Sequence, residues 1–296
     1  MDRNDVRIVE VGPRDGLQNI EDFIATEHKI AFIKKLVDAG CRHIEVTSFV
    51  RPDLVPQMRD AQVVCEALLT YPPAHYSALV ANGVGLVRAL ASGVKEIAIV
   101  AAASDTFSVR NIRQSIDESI EAYRGIVACA LRSDMVVRGY VSTAWWCPYE
   151  GRVDPQKVLD VATALFDLGV YEVSLADTIG KASPDEVSQL LDVVLARHGT
   201  SCFALHMHDT DGNALANIER GYALGIRTFD SSAGGLGGCP FANVSVGNVA
   251  TEDVVDCFAK SNITTGIDIA KLVKASRYME AVLGHELPSR YLRSLK

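Results

Sequence analysis

Two histidines separated by one residue form the clearest chemical pattern in the chain, in the run Leu205-His206-Met207-His208-Asp209. The apolar residues before them predict a β-strand that ends at this point. Because strand side chains alternate between two faces, the imidazoles of His206 and His208 are expected on the same side. Two imidazoles on one face at a strand end commonly hold a metal ion, whereas a single histidine is more often structural. The pair therefore predicts a metal site.

A second group of polar residues, Gly12–Asn19, follows the first strand-like run and has the sequence GPRDGLQN. Glycine, proline, aspartate and asparagine all favour turns, so an ordinary turn is one interpretation. The functional interpretation rests on Arg14 and Asp15, which bring a guanidinium and a carboxylate to the end of a strand.

A third group is the segment Ser231–Ala250, which has four glycines before Cys239. Glycines permit close backbone approach and loop motion, and a plain flexible loop is one interpretation. Cys239 is flanked by a glycine and a proline on a loop expected to be exposed, which is not a typical core position, so a reactive thiol is the alternative. Asn248 closes the segment just before the next predicted helix.

The scaffold for these groups is predicted from an alternation of β-branched and amphipathic runs. Strands are predicted at 6–11, 43–49, 76–80, 96–101, 136–142, 171–176, 202–206 and 228–231. Helices are predicted at about 57–69, 84–91, 115–131, 155–168, 184–197, 214–224 and 252–259, after a first helix that ends near Gly40. One further helix is predicted at about 269–283, after the last of the eight units.

Eight alternating units imply a parallel α/β fold with right-handed crossovers, and eight of them in this length indicate a closed (β/α)8 TIM barrel. The chain of 296 residues is 48% hydrophobic, enough for one large core, so we expect a single domain over 1–296 with an extra C-terminal helix. An open doubly wound sheet is the alternative, but no GxGxxG follows the first strand.

Barrel closure makes the seventh, eighth and first strands neighbours, and functional groups of such barrels lie at the carboxyl ends of the strands. His206, His208, Asn248 and Asp15 are therefore expected to converge. Two imidazoles, a carboxylate and an amide oxygen suit Mg²⁺ or Mn²⁺ better than a thiolate-type zinc site, although ligand type alone leaves zinc open.

Two more carboxylates are expected at the same mouth. Glu45 lies within the second strand, where a carboxylate needs a partner, and Arg14 is the expected one. Asp177 ends the sixth strand, and its alternative role is to stabilise the turn that follows.

The composition narrows the choice of partners and compartment. The net charge is −8 and no basic block stands out, so nucleic acid is not an expected partner. No apolar run is long enough for a membrane span and no leader is evident, so we expect a cytoplasmic protein. The seven cysteines include no CxxC pair and are expected to be mostly small buried residues.

The motifs VEVGPRDGLQN, EVTSFV, CPYEG, ADTIG, HMHDT, GLGGCPFA and GNVATED occur in the order found in hydroxymethylglutaryl-CoA (HMG-CoA) lyases. The chain resembles that family from about Val6 to the final helix. The resemblance implies a divalent-metal-dependent cleavage of HMG-CoA to acetyl-CoA and acetoacetate by a retro-Claisen reaction. It also implies an acyl-CoA substrate and a homodimer.

The resemblance further implies roles for individual residues. The metal ligands would be Asp15, His206, His208 and Asn248. Arg14 would stabilise the enolate oxygen, Cys239 would be a mobile-loop catalytic thiol, and Glu45, Asp177 and Glu252 would serve or support the site. We also assign substrate contacts to Arg14, Gln18, Asn111 and Thr178. Candidates for contact with CoA, by charge alone, are Lys95, Arg110 and Arg113.

The sequence departs from the family around Thr143-Ala144-Trp145-Trp146, before CPYEG, where small residues and a cysteine are usual. The two tryptophans either pack on the barrel rim or reshape the acyl pocket, so citramalyl-CoA or a longer 3-hydroxyglutaryl-CoA is an alternative substrate. A Claisen-condensing enzyme, a 4-hydroxy-2-oxo acid aldolase and a non-catalytic metal-binding barrel also fit parts of the pattern. The condensing enzymes carry long C-terminal regions for which this chain has no room, which disfavours them.

Overall fold

The computed structural model describes residues 5–71, 74–237 and 247–296. Eight parallel strands close into a barrel in the order β1-β2-β3-β4-β5-β8-β9-β10, with β10 paired to β1, and β6 and β7 form a separate antiparallel hairpin. The strands are β1 Arg7–Glu10, β2 His43–Ser48, β3 His75–Leu79, β4 Glu96–Ala102, β5 Val136–Ser142, β6 Trp146–Cys147, β7 Gly151–Arg152, β8 Glu172–Asp177, β9 Phe203–Met207 and β10 Thr228–Ser231. The predicted (β/α)8 barrel is confirmed.

The helices surround the barrel and continue beyond its eighth unit. They are α1 Thr26–Asp38, α2 Ala61–Leu68, α3 Gly83–Ala91, α4 Asp105–Ile112, α5 Ile116–Arg132, α6 Pro155–Leu168, α7 Pro184–Arg197, α8 Ala214–Ala223, α9 Thr251–Lys260, α10 Ile269–Leu283 and α11 Arg290–Ser294. The sequence predicted one extra C-terminal helix, and the structure has two, α10 and the short α11. It also has α4, which the sequence did not predict. Within the described ranges, no helix is long and apolar enough to cross a membrane.

Helix α7 shows how local sequence fixes these elements. Ser183 accepts a hydrogen bond from the Glu186 backbone while the Glu186 carboxylate accepts one from the Ser183 backbone, and such a capping box contributes about 1 kcal/mol. The apolar face then repeats at helical spacing and is buried against the barrel, at Val187, Leu190, Leu191 and Val194. Each fully buried side chain of this kind stabilises the fold by roughly 1.5–3 kcal/mol.

The strand register brings the predicted site elements together. In the β10–β9 pair Asp230 lies beside His206, and in the β1–β10 pair Glu10 lies beside Ser231. The carboxyl ends of β9, β10 and β1 are therefore neighbours at one mouth of the barrel, as barrel closure predicted. Among the six cysteines in the described ranges all are unpaired thiols, and Cys41, Cys65 and Cys147 are buried.

Candidate active site

Three side chains form a compact cluster at the carboxyl end of the barrel. One nitrogen from each of His206 and His208 and one carboxylate oxygen of Asp15 all lie within 4.8 Å of one another. The two Nε2 atoms are 3.2 Å apart, and His206 Nε2 is 4.0 Å from Asp15 Oδ2. This spacing allows a single cation to contact all three groups, which is the convergence expected from the sequence.

A tight turn after β1 presents Arg14 and Asp15 to this mouth. Residues Gly12–Gly16 form one π-helical turn in which the Val11 carbonyl accepts hydrogen bonds from the backbones of Arg14, Asp15 and Gly16 at 3.1, 2.8 and 3.2 Å. Single π-helical turns are rare in proteins, and those that occur are often found at functional sites. Here the turn projects two adjacent charged side chains into the same space.

The charges around Asp15 and His208 favour forms that bind cations. Burial raises the pKa of Asp15, but Arg14 and the two imidazoles outweigh it and lower that pKa to about 2. Burial, with the neighbouring His206, lowers the pKa of His208 to about 4. Near neutral pH the cluster therefore offers a carboxylate and a neutral imidazole, both able to donate electron pairs.

Asn248 adjoins the cluster by its amide nitrogen. Its Nδ2 atom donates hydrogen bonds to Asp15 Oδ2 at 2.7 Å and to the Leu236 carbonyl at 3.2 Å. The sequence predicted the amide oxygen as the ligand, whereas in this structure the nitrogen faces Asp15. The backbone of Gly237 lies close to the Asn248 amide, since a Cβ at Gly237 would be 2.8 Å from Asn248 Nδ2. Gly237 also has a φ of +104°, in the left-handed region. Only glycine fits this position without strain.

Arg14 is held in place by two carboxylates. Its Nε donates to Glu45, and its Nη1 lies 2.5 Å from Asp15 Oδ1. The Tyr140 hydroxyl donates to the other oxygen of Glu45 at 3.3 Å. The predicted pairing of Arg14 with Glu45 is confirmed. The guanidinium is thus a buried, oriented positive charge beside the cluster.

Three polar side chains next to His206, those of Asp230, Arg138 and Ser174, were not predicted from the sequence. Asp230 Oδ2 lies 3.4 Å from His206 Nδ1, on the side of the ring that faces away from His208. Arg138 and Ser174 both donate to Asp230. The sequence did contain a signal for these residues: Arg138 and Asp230 are charged residues inside the predicted strands β5 and β10. Charged residues are rarely buried unless they are paired, so each of them indicated a buried partner.

Asp177 has turn-stabilising contacts. Its carboxylate accepts hydrogen bonds from the backbones of Lys181 at 3.1 Å and Ala182 at 2.9 Å, and burial raises its pKa to about 6. These contacts match the alternative role considered from the sequence. The adjacent Thr178 accepts a hydrogen bond at Oγ1 from the backbone of Thr143 at 2.7 Å.

The remaining predicted substrate residues lie in different surroundings. Gln18 is half-buried near the π-helical turn, and its Oε1 atom is buried with no hydrogen-bond partner in the described part of the chain. Asn111 is exposed on α4, next to Arg110, whose guanidinium is 4.2 Å from the Tyr149 ring centre. Lys95 directly precedes β4 and therefore belongs to the amino-terminal end of the barrel. This position, away from the mouth, disfavours Lys95 as a CoA contact.

Cys239 lies outside the described residues, so its role stays a prediction. The described base of its loop is fixed by two fully buried acids. Glu10 accepts a hydrogen bond from the Ala233 backbone at 2.9 Å, and Glu252 accepts one from the Gly234 backbone at 2.7 Å. Burial raises their pKa values to about 7 and about 8. Glu252 was predicted to support the site, whereas Glu10 was not identified.

The two tryptophans both contact the start of α7. The indole nitrogen of Trp145 donates to the Glu186 carbonyl at 3.2 Å, and that of Trp146 donates to Glu186 Oε2 at 3.3 Å. Trp145 is 3% exposed. These hydrogen bonds favour packing of the pair on the rim rather than a reshaped acyl pocket.

Fold and site together define a (β/α)8 barrel with a histidine–histidine–aspartate cluster at its catalytic end. The chain belongs to the HMGL-like family, whose model matches residues 5–279. The resemblance identified from the sequence motifs is thereby confirmed.

Named relatives narrow the comparison further. A hydroxymethylglutaryl-CoA lyase of Bacillus subtilis is 44% identical over 291 residues, which are 98% of this chain and 97% of that protein. The crystal structure of a hydroxymethylglutaryl-CoA lyase from Pseudomonas aeruginosa is 45% identical, with a TM-score of 0.96 over 99% of this chain and 97% of the other. An HMG-CoA lyase of Acinetobacter baumannii in complex with coenzyme A and 3-methylmalate is 34% identical, with a TM-score of 0.94 over 99% and 96%.

Proposed function

We propose that this protein cleaves HMG-CoA to acetyl-CoA and acetoacetate by a metal-dependent retro-Claisen reaction. The observation that carries the proposal is the cluster of Asp15, His206 and His208 beside the buried guanidinium of Arg14. In this reaction a tertiary hydroxyl loses its proton, the adjacent C–C bond breaks, and the electron pair of that bond forms a thioester enolate. The enolate is then protonated to give the acetyl group.

The donor set fits a hard divalent cation. Two imidazole nitrogens face each other across 3.2 Å beside an ionised carboxylate, an arrangement that is unfavourable unless a cation or a proton lies between them. We expect Mg²⁺ or Mn²⁺, held by Asp15, His206 and His208, with Asn248 joining through its amide oxygen after rotation of the amide group. A bound ion supplies a Lewis acid that lowers the pKa of a substrate hydroxyl.

Arg14 has the position to stabilise the developing enolate. Because Glu45 and Asp15 hold the guanidinium from two sides, its orientation is set before substrate binds. A preorganised donor of this kind stabilises negative charge on a thioester oxygen, and its loss typically reduces kcat by roughly 100- to 1000-fold. Cys239 is the group that we expect to protonate the resulting carbanion.

The substrate, assembly and compartment complete the proposal. The A. baumannii relative with bound coenzyme A supports an acyl-CoA substrate. Both tryptophans donate hydrogen bonds to Glu186, which supports their packing against α7, so HMG-CoA stays the expected substrate and citramalyl-CoA or a longer 3-hydroxyglutaryl-CoA the alternative. A homodimer in the cytoplasm remains our prediction from the sequence and the family resemblance.

The test is turnover with a chelator control. Purified protein is incubated with HMG-CoA and Mg²⁺ or Mn²⁺, with and without EDTA, and acetoacetate and acetyl-CoA are quantified. Chelator-sensitive release of both products in equal amounts is expected. No release by folded protein that has bound Mn²⁺ would exclude HMG-CoA, and citramalyl-CoA would then be assayed in the same way.

A further inference from the structure

A buried group of three side chains lies directly beneath the metal-binding cluster. Arg138 from β5 donates to Asp230 from β10 through both terminal nitrogens, at 2.8 and 3.2 Å. Ser174 from β8 donates to Asp230 Oδ2 at 2.8 Å. The three residues are almost completely inaccessible, with Asp230 1% exposed and Arg138 2% exposed. The Asp230 carboxylate therefore has one fixed orientation inside the barrel.

That carboxylate faces one nitrogen of His206, while the other nitrogen faces the cluster. Nδ1 is 3.4 Å from Asp230 Oδ2, and Nε2 is 3.2 Å from His208 Nε2. A carboxylate next to Nδ1 favours the tautomer that carries its proton there, because that proton is attracted to the negative charge. The lone pair of Nε2 is then directed at the position that a cation would occupy.

We propose that Asp230, fixed by Arg138 and Ser174, is a positioning residue that sets the tautomer and the ring orientation of His206 and thereby strengthens divalent-cation binding. The proposal rests on the metal site proposed above. Carboxylates that orient a metal-binding imidazole commonly affect metal affinity by about 10- to 100-fold.

The chain offers a matched control on the other side of Arg138. Glu172 accepts a hydrogen bond from Arg138 Nε at 2.8 Å and is 1% exposed, so it belongs to the same buried ion-pair group. Its remaining partner is Arg7, near the amino-terminal end of the barrel. Glu172→Gln therefore removes a buried charge next to Arg138 without removing a group that faces His206.

The experiment measures Mn²⁺ binding by electron paramagnetic resonance for the wild-type protein, Asp230→Asn and Glu172→Gln, with thermal unfolding of each metal-free protein alongside. We expect Asp230→Asn to weaken Mn²⁺ binding by about 10- to 100-fold. Both variants are expected to lower the unfolding temperature, because each removes a buried charge that pairs with Arg138. Glu172→Gln, however, is expected to keep an Mn²⁺ affinity close to that of the wild type. Ser174→Ala, which removes one hydrogen bond to Asp230, serves if Asp230→Asn does not fold, and it should weaken binding in the same direction.

Nitrogen-15 NMR of the histidine rings in the metal-free proteins provides a readout that is independent of the metal. His206 is expected to be protonated at Nδ1 in the wild type and to lose that preference in Asp230→Asn. Equal Mn²⁺ affinities of the wild type and Asp230→Asn, or equal losses in Asp230→Asn and Glu172→Gln, would overturn the proposal. A wild-type protein that binds no Mn²⁺ would instead overturn the metal site itself, while the tautomer measurement would still report on the contact between Asp230 and His206.

Discussion

The salt bridge between Arg14 and Glu45 allows a quantitative test of how the site is preorganised. In the variant Glu45→Gln the guanidinium keeps Asp15, at 2.5 Å, as its only remaining carboxylate partner within the described ranges. Breaking a buried ion pair costs roughly 3–5 kcal/mol when the remaining charge has no compensation. Because Asp15 still compensates Arg14, and because glutamine keeps the shape and one hydrogen-bond acceptor, we expect a loss of about 2 kcal/mol in unfolding free energy.

Glu45→Gln should lower kcat more than it changes the KM for HMG-CoA. A guanidinium that is free to reorient stabilises the enolate less, so we expect kcat of Glu45→Gln to fall by about 10- to 100-fold, below the full loss of a charge-stabilising donor. The assays are urea denaturation of the metal-free protein and steady-state cleavage of HMG-CoA at saturating Mg²⁺. KM should change much less than kcat, because the interaction acts mainly in the transition state.

Asp60→Asn is the matched control for this variant. Asp60 and Lys29 form a buried ion pair at 2.8 Å, with side chains 8% and 4% exposed, that has no contact with the cluster. Asp60→Asn should lose comparable stability but retain a kcat near that of the wild type. If Glu45→Gln loses stability while its kcat matches that of Asp60→Asn, the guanidinium does not depend on Glu45 for its catalytic orientation.

Three further perturbations test separate parts of the site. Since the pKa of buried Glu252 is raised from 4.5 to about 8, the folded state keeps a proton that the unfolded state releases, so stability should fall as pH rises across that interval. Glu252→Gln, which cannot ionise, should show a shallower fall in unfolding temperature, and parallel profiles would contradict this cause. Gly237→Ala should weaken Mn²⁺ binding through Asn248 and cost about 1–3 kcal/mol, whereas Gly266→Ala, also at positive φ but in open space, should leave Mn²⁺ binding unchanged. His208→Ala should abolish both Mn²⁺ binding and turnover while the far-ultraviolet circular dichroism spectrum is retained, and full activity in this variant would exclude the cluster as the metal site.

The scaffold was predictable where hydrophobic periodicity is strong. The predicted bounds of β5, β10, α6, α7 and α10 agree with the structure to the residue. The helices among them, α6, α7 and α10, have apolar faces at helical spacing and clear end signals such as Gly169, which terminates α6 with a φ of +103°. The short α11 and the β6–β7 hairpin have too few residues for a hydrophobic period to emerge, and α4 is a second helix after β4 that interrupts the alternation of one helix per strand, so these elements were not predicted.

The candidate site was predictable where its members follow a strand end in sequence. Asp15, His206 and His208 each lie at such an end, and barrel closure alone brings them together. Asp230 and Arg138 were not predictable in the same way, because Arg138 lies inside β5, away from its carboxyl end, and reaches Asp230 of β10 across the barrel interior. Their contact depends on how side chains meet across the barrel interior, which local sequence does not encode.

The barrel interior also carries a charge imbalance that bears on the order of ligand binding. A continuous set of ion pairs and Tyr140 hydrogen bonds joins three guanidiniums to four carboxylates, a formal excess of one negative charge, in Arg7, Glu172, Arg138, Asp230, Glu45, Arg14 and Asp15. An acyl-CoA thioester with a free carboxylate is itself an anion, and it is repelled by such an interior. A bound divalent cation would change the formal charge of this set from an excess of one negative charge to an excess of one positive charge. Electrostatics therefore favours a sequential mechanism in which the cation enters first and the anionic thioester second.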